Sequence, residues 1–182
     1  MAILGIDDFK SKLAGGGARP TLFKATVNFP TFVEAANVEL TSFLVKQATI
    51  PDSVIGAIPV SFRGRKLNLA GDRTFSAITL TVINDAEFDV RKSFEQWMNG
   101  INQHQENTGL VDMNDYSSDV VVEQLRKDGT VSKRYDFRGC WPSSVAEIAL
   151  DYSTNAFCYS LESPKFVARS LRSFSVFPLT FA

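Results

Sequence analysis

Apolar and polar residues alternate along much of the N-terminal half of the chain. After Pro20 the apolar positions are Phe23, Ala25, Val27 and Phe29, separated by single residues. This two-residue period is typical of a strand with one buried face. The other strands predicted in this half lie within 38–50, 58–62 and 76–85.

One segment, 84–102, instead follows the 3.6-residue period of an amphipathic helix. Its apolar stripe consists of Val90, Phe94, Trp97, Met98 and Ile101. Asn84 or Asp85 can cap its start, and Gly100 lies near its end. We expect the stripe to pack against a sheet and leave the opposite side in water, with Arg91, Lys92 and Glu95.

The first 17 residues have a weaker pattern. Ile6, Phe9 and Leu13 fit one face of a short helix, which the glycines at 15–17 must end. We therefore predict an N-terminal arm that packs only when another surface receives it.

The C-terminal half returns to the strand period. A polar loop at 102–118 precedes a hairpin at 120–141, whose turn contains Asp128 and Gly129. Further strands are predicted at 145–153 and 173–182, where Pro178 restricts the last one to an edge or a bulge. Seven or eight strands with one flanking α-helix predict a mainly β fold, either a β-sandwich or an open barrel.

Length and composition narrow the function classes. The chain has 182 residues, of which 45% are hydrophobic, enough for a single domain with its own core. Its 19 basic and 20 acidic residues lack the excess of a DNA-binding domain. No apolar run approaches a membrane span, and the start of the chain lacks the basic flank of a signal peptide, so a soluble product is expected. Cys140 and Cys158 are predicted to be reduced thiols, with a bond between subunits as the alternative.

Catalytic and metal-binding motifs are missing from the sequence. The single histidine, His104, has no neighbouring cysteine or acid that would complete a metal or acid–base site. The polar residues between 112 and 119 resemble a calcium loop but lack its glycine and its closing glutamate. Acidic residues near 85–89 are expected to favour a helix start. We therefore expect no enzyme activity, no cofactor and no metal.

The segment 62–75, FRGRKLNLAGDRTF, concentrates basic residues between two apolar runs. A strand follows it, so it lacks the helix N-terminus of a phosphate loop. It also lacks the aromatic residues interleaved with basic ones that a single-strand nucleic-acid platform needs. What remains is an extended loop or hairpin corner that contacts other proteins. Its candidate interface residues are Arg63, Arg65, Lys66, Asp72 and Arg73. Trp141 is either a further interface anchor or a packed strand residue.

This segment also resembles a known family. IPVSFRGRKLNLAGDRTF at 58–75 and ITLTVINDAEFDVRKSFEQW at 78–97 are similar to a block of the tail tube proteins of T-even-type contractile-tailed phages. ARPTLF at 18–23 and GCWPSSVAEIALDYST at 139–154 resemble two further blocks, so that the resemblance covers most of 18–155. Residues 156–182 depart from the family pattern, because a longer segment precedes the final strand.

The resemblance implies a single tail-tube domain with an arm at 1–17, a core at 18–155 and a divergent segment at 156–182. It implies a structural virion protein, assembled in the host cytoplasm, whose six-membered rings join their strands into one inner β-barrel and stack into a tube. The implied partners are further copies of the chain, the contractile sheath, the baseplate or tube initiator, and the tail terminator. DNA is expected to pass through the lumen without specific binding. No membrane insertion is expected.

Two alternatives are left open by the sequence. The first is a related tube, namely a tube initiator or the inner tube of a type VI secretion or extracellular injection machine. The second belongs to another class, a monomeric ligand-binding β-barrel domain. Assembly into rings distinguishes the second alternative from every tube.

Overall fold

A computed structural model describes residues 5–12, 17–34, 37–148, 153 and 165–175. Four helices lie in this part of the chain: α1 (Ile6–Lys12), α2 (Val38–Leu44), α3 (Asp89–Ile101) and α4 (Met113–Tyr116). The strands are β1 (Phe23–Val27), β2 (Val45–Thr49), β3 (Ser53–Phe62), β4 (Arg65–Phe75), β5 (Ile78–Val82), β6 (Ser118–Leu125), β7 (Val131–Ser144), β8 (Lys165–Val167) and β9 (Ser170–Ser175).

The long strand β7 joins two layers. Its first half pairs with β6 and β9, and β6 pairs in turn with β1, which makes a four-stranded layer called layer 1 here. Its second half pairs with β8, followed by β5 and β2, which make layer 2. Every pairing is antiparallel. Among the described strands, β3 and β4 pair only with each other, as a separate two-stranded sheet.

One hydrophobic core lies between the layers and α3. Val90, Phe94 and Trp97 of α3 are buried there, as the helical spacing predicts. The rings of Phe94 and Trp97 contact those of Phe29 and Phe166 at centroid distances of 5.3 to 6.0 Å. The Trp97 indole donates a hydrogen bond to the Tyr116 carbonyl at 2.6 Å. The predicted mainly β sandwich with a flanking helix is confirmed.

Residues 38–44 contradict the strand predicted there, because they form α2. The Asn37 side chain accepts a hydrogen bond from the Leu40 amide at 2.9 Å, and the Thr41 hydroxyl donates to the Asn37 carbonyl. This side-chain cap fixes a helical first turn and overrides the strand preference of the β-branched residues. The predicted strand begins only at Val45.

Smaller differences concern the ends of elements. Asp85 accepts hydrogen bonds from the amides of Asp89 and Val90, although the residue at the cap position itself is Phe88, in a left-handed conformation. Residues 145–148 are not a strand, contrary to the prediction for 145–153, and 149–152 lie outside the described residues. β8 and β9 begin earlier than the predicted final strand, and Pro178 and Cys158 also lie outside the described residues.

Candidate assembly interface

The β3–β4 hairpin stands apart from the core. All but one of its strand residues are exposed, and the hairpin hydrogen-bonds to no third strand among the described residues. Its turn consists of Arg63 and Gly64, both with positive φ, the geometry of a tight two-residue hairpin turn. Because an isolated two-stranded hairpin is marginally stable in water, this hairpin is a candidate contact surface.

The two faces of the hairpin differ in polarity. Cross-strand partners share a face, so the pairs Val60–Leu67 and Ile58–Leu69 lie together with the pair Phe62–Arg65. We call this the apolar face. Phe62 is 68% exposed and Leu67 61% exposed. The opposite face near the turn carries Ser61, Lys66, Pro59 and Asn68.

Of the five residues predicted on an extended loop or hairpin corner, four lie on strand β4 and one lies in the hairpin turn. Arg63 lies in the turn, 5.3 Å from the centroid of the Phe62 ring. Arg65 shares the apolar face, whereas Lys66 lies on the opposite face. Asp72 lies at a β-bulge and Arg73 pairs with Ile55 beyond it. Within the described ranges none of the five forms a salt bridge, so their charges are available to a partner.

Trp141 lies elsewhere, in the second half of β7. It is half-buried and pairs with Val167 of β8. The structure therefore does not group Trp141 with the hairpin residues, and its surroundings are those of a packed strand residue.

Each of the two outer strands of layer 1 has a strand partner on one side only, among the described residues. β1 and β9 are its outer members, and no described strand hydrogen-bonds to the far side of either. The Leu125 amide bonds to the Leu22 carbonyl, and the Asn28 amide bonds to Asp119. By the alternation of antiparallel ladders, the backbone groups of Phe23, Ala25 and Val27 point away from β6. No described strand pairs with them, although Ala25 and Val27 are buried and α2 contacts β1. A strand edge without a strand partner can pair with a further strand.

The solvent face of layer 1 is polar, and the side chains described on it include equal numbers of bases and acids. Alternation along the strands puts Ala25, Val122 and Phe137 into the core and their neighbours on the other side. The charged residues on that other side are Lys24, Asp119, Glu123, Arg134, Asp136 and Arg138. Arg134 donates to Asp136 at 2.7 Å and to Glu123 at 3.3 Å. The hydrogen bond from Asp136, and then its charge, raise the pKa of Arg134.

Among the described residues no group of three or more potential metal ligands occurs, and no helix is long and apolar enough to cross a membrane. His104 is exposed and lies 3.2 Å from the Asn99 side-chain oxygen. Asp112 caps α4 by accepting from the Asn114 amide, and Asp119 accepts from the Gly139 amide. These acids therefore have local structural partners.

The comparisons with known proteins decide the family. The model of the family described as "Phage tail tube protein" matches residues 18–159. The tail tube protein gp19 of Enterobacteria phage T4 is 34% identical over 153 residues, covering 82% of this chain and 89% of the phage T4 protein. The chain belongs to the phage tail tube protein family.

A second tail tube protein, from Serratia phage KSP90, is 30% identical over 151 residues, covering 81% of this chain and 85% of that protein. Among solved structures, a chain of the sixfold-symmetrised baseplate of the anti-feeding prophage superposes with a TM-score of 0.64 at 14% identity. That superposition covers 88% of this chain and 97% of the other. This second likeness concerns the fold alone.

The apolar face of the hairpin was not predicted from the sequence of this tail tube protein. The basic residues of 62–75 dominate the composition of the segment. The face could have been found from the two-residue spacing of its apolar residues. These are Ile58, Val60 and Phe62 on one strand and Leu67 and Leu69 on the next. Which strands form the edges of layer 1 depends on the order in which the strands pair. No single segment of the sequence shows that order.

Proposed function

We propose that the chain is the subunit of the inner tube of a contractile phage tail, in which six copies close a ring and the rings stack into a conduit for DNA. The sixfold symmetry comes from the prophage baseplate whose chain shares this fold. The phage assignment follows the 34% identity to the phage T4 tail tube protein, against 14 to 16% for the injection-system chains.

The observation that carries the proposal is the pair of free edges of layer 1. A ring of identical copies needs two different surfaces on each copy, one for each neighbour. β1 and β9 are two such surfaces on a single layer. Joining them converts the separate copies of layer 1 into one closed barrel and removes the two edges of that layer.

Strand direction allows this joining. β1 and β7 run one way, and β6 and β9 run the other way, because each neighbouring pair is antiparallel. Rotating one copy about the ring axis therefore brings β9 beside β1 of the next copy in an antiparallel arrangement. The barrel then continues the same ladder across every subunit boundary.

The polar face of layer 1 is suited to line the lumen. Its other face is covered by layer 2 and α3, which would occupy the outside of the barrel. Of the side chains that the structure describes, three basic and three acidic ones then face the DNA, and Arg134 is held by two carboxylates. A wall rich in free cations would bind phosphates in a salt-dependent manner and retain DNA, whereas this wall offers few free cations.

The hairpin supplies the contacts that such a ring still needs. Its exposed apolar face and its unpaired charges at Arg63, Arg65, Lys66 and Arg73 are suited to a neighbouring copy. We place these residues and Asp72 at subunit or ring interfaces. Trp141 is placed there only if a neighbour covers the exposed part of its ring.

The other partners follow from the tube itself. Assembled in the host cytoplasm, it would join the contractile sheath, the baseplate or initiator, and the terminator as part of the virion. We take the whole chain as one tail-tube domain, with an arm at 1–17 and a C-terminal segment at 156–182. A ligand-binding monomer is disfavoured, because it would leave the apolar face of the hairpin in solvent.

Electron microscopy of the purified chain tests the proposal. Rings with sixfold symmetry and tubes of constant diameter are expected as the protein concentration rises. A monomer that stays dispersed at millimolar concentration would contradict it, as would rings in which β1 and β9 are not adjacent.

The lumen assignment has its own test. In tubes of the double variant Glu123→Gln and Asp136→Asn, Arg134 loses both partners and the wall becomes basic. Fluorescent short duplex DNA should then be retained inside the tubes at low salt and released at high salt, while wild-type tubes retain none. Equal retention by both tubes would show that this face does not line the lumen.

A further inference from the structure

A groove lies between β1, the outer strand of layer 1, and β2, the outer strand of layer 2. Its volume is about 570 Å³, and its apolar lining residues are Pro20, Phe23, Ala48, Ile50 and Val122. Val122 belongs to the buried core, and Phe23 and Ala48 pack against that core. The groove therefore opens from the core to the surface, so that an apolar occupant would extend the core.

The apolar face of the hairpin has matching chemistry. Its five apolar side chains are between 43% and 68% exposed, namely Ile58, Val60, Phe62, Leu67 and Leu69. The antiparallel ladder aligns them before any contact forms, and a preordered surface loses little conformational entropy on binding. Removal from water is favourable for both the groove and this face.

The hairpin does not present this face to the groove of its own subunit. β3 begins at Ser53, shortly after Ile50 of the groove. The extended strand then carries Ile58 about 16 Å beyond Ser53, at about 3.3 Å per residue. The whole apolar face is exposed in the single subunit, so its partner must come from another molecule.

The groove and the hairpin lie at the two edges that the proposed ring brings together. The groove adjoins β1. The base of the hairpin adjoins β9, because Pro51 and Phe75 line a small cavity together with Ser170 and Leu171. When β9 of one copy pairs with β1 of the next, the hairpin base of the first copy reaches the boundary at which the groove of the second copy opens. Two different surfaces on one chain are what a head-to-tail contact requires.

We propose that the groove between β1 and β2 of one copy receives the apolar face of the β3–β4 hairpin of a second copy. The inference rests on the proposed tube, which supplies the second copy. It names the surface on which the hairpin becomes buried. Neighbouring copies are then joined by apolar packing as well as by strand pairing.

The helix α1 is a competing occupant of the groove. It carries two exposed apolar side chains, Ile6 and Phe9, on a helix of 7 residues. The hairpin offers five apolar side chains on a fixed ladder. Because apolar burial grows with the area removed from water, the hairpin is the stronger occupant.

Cross-linking between two variants of the full-length chain tests the contact. Leu67→Cys on the apolar face and Ile50→Cys on the groove wall are made in separate proteins, since both side chains are exposed. The two proteins are mixed, allowed to assemble and treated with a short bismaleimide. Mass spectrometry should find peptides that join position 67 to position 50, which in this mixture only a contact between copies can produce. Asn68→Cys in place of Leu67→Cys is the matched control and should give no such peptide, because Asn68 lies on the opposite face.

A charge placed on either surface measures the strength of the contact. Leu67→Glu and Ile50→Lys should each raise the protein concentration needed for assembly about tenfold, the factor that corresponds to the loss of one buried apolar side chain. Thr49→Lys is the matched control for Ile50→Lys, because Thr49 is exposed and does not line the groove. It should assemble like wild type.

The outcomes separate this contact from the proposed tube. A wild-type protein that forms neither rings nor tubes would remove the tube itself. Tubes without a cross-link between positions 67 and 50 would overturn the contact while the tube stands. A cross-link from Phe9→Cys to Ile50→Cys in its place would make α1 the occupant and equally overturn it. Normal assembly of both Leu67→Glu and Ile50→Lys would also contradict the contact.

Discussion

The core around Trp97 and the β3–β4 hairpin contain similar apolar residues in opposite environments. Trp97, Phe94 and Phe166 are buried between two layers of the same chain. Phe62 and Leu67 face solvent on a two-stranded sheet. An exposed apolar patch of this kind marks an interaction surface. The apolar residues of the core are therefore buried within a single copy, whereas those of the hairpin are suited to burial against a neighbouring copy.

The largest expected effect lies in the core. Trp97→Ala removes a fully buried ring and the hydrogen bond to the Tyr116 carbonyl. We expect the free energy of unfolding of the dispersed subunit to fall by about 3–5 kcal/mol, measured by denaturant titration. Phe43→Ala is the control, because Phe43 is 90% exposed and its loss should change this free energy by less than about 0.5 kcal/mol. Similar changes for both variants would contradict the described core.

Much of this core could be predicted from the sequence, for a physical reason. The stripe Val90, Phe94 and Trp97 has a helical period, and the β1 and β5 alternation has a strand period, so each segment reports its own buried face. α2 was mispredicted because a single side-chain cap at Asn37 decided its first turn. Short-range patterns do not record pairing order, so the free edges and the apolar face of the hairpin came only from the structure.

The hairpin gives the reverse prediction. Leu67→Asn removes an apolar side chain that we place against a neighbouring copy, and burial of a leucine contributes about 1.5–3 kcal/mol. The protein concentration needed for assembly, measured by sedimentation, should rise about tenfold or more. Unfolding of the dispersed subunit should not change.

Asn68→Ser is the matched control for Leu67→Asn, since the adjacent residue lies on the opposite face of the same strand. It should assemble close to wild type. If Leu67→Asn assembled normally, the apolar face of the hairpin would not contact a neighbouring copy at this position, contrary to the proposed role of the hairpin.

The pH dependence of stability tests the burial of a core residue, Cys140. Desolvation raises the pKa of the buried Cys140 thiol to about 12, from 9.0. Between these values the unfolded chain releases the proton while the folded chain keeps it, so stability is present below pH 9 and falls as the pH rises. In this pH range the thiol lowers the free energy of unfolding by about 1.4 kcal/mol for each unit by which the pH rises. Denaturation at pH 8 and pH 10 should show a steeper loss in wild type than in Cys140→Ala, and equal slopes would contradict a buried thiol.

The smallest expected effect concerns a charge on the hairpin. Arg73→Ala removes a guanidinium that pairs with no described acid in the subunit and lies at an exposed position beside the bulge. Unfolding of the subunit should be unaffected. If a neighbour supplies the partner, an exposed ion pair is lost, and assembly should weaken about two- to fivefold. Arg73→Lys keeps the charge but not the planar fork of donors, so partial recovery would indicate that charge alone contributes. Arg73→Ala protein that assembles like wild type would remove Arg73 from the interface and leave the apolar face as the main contact of the hairpin.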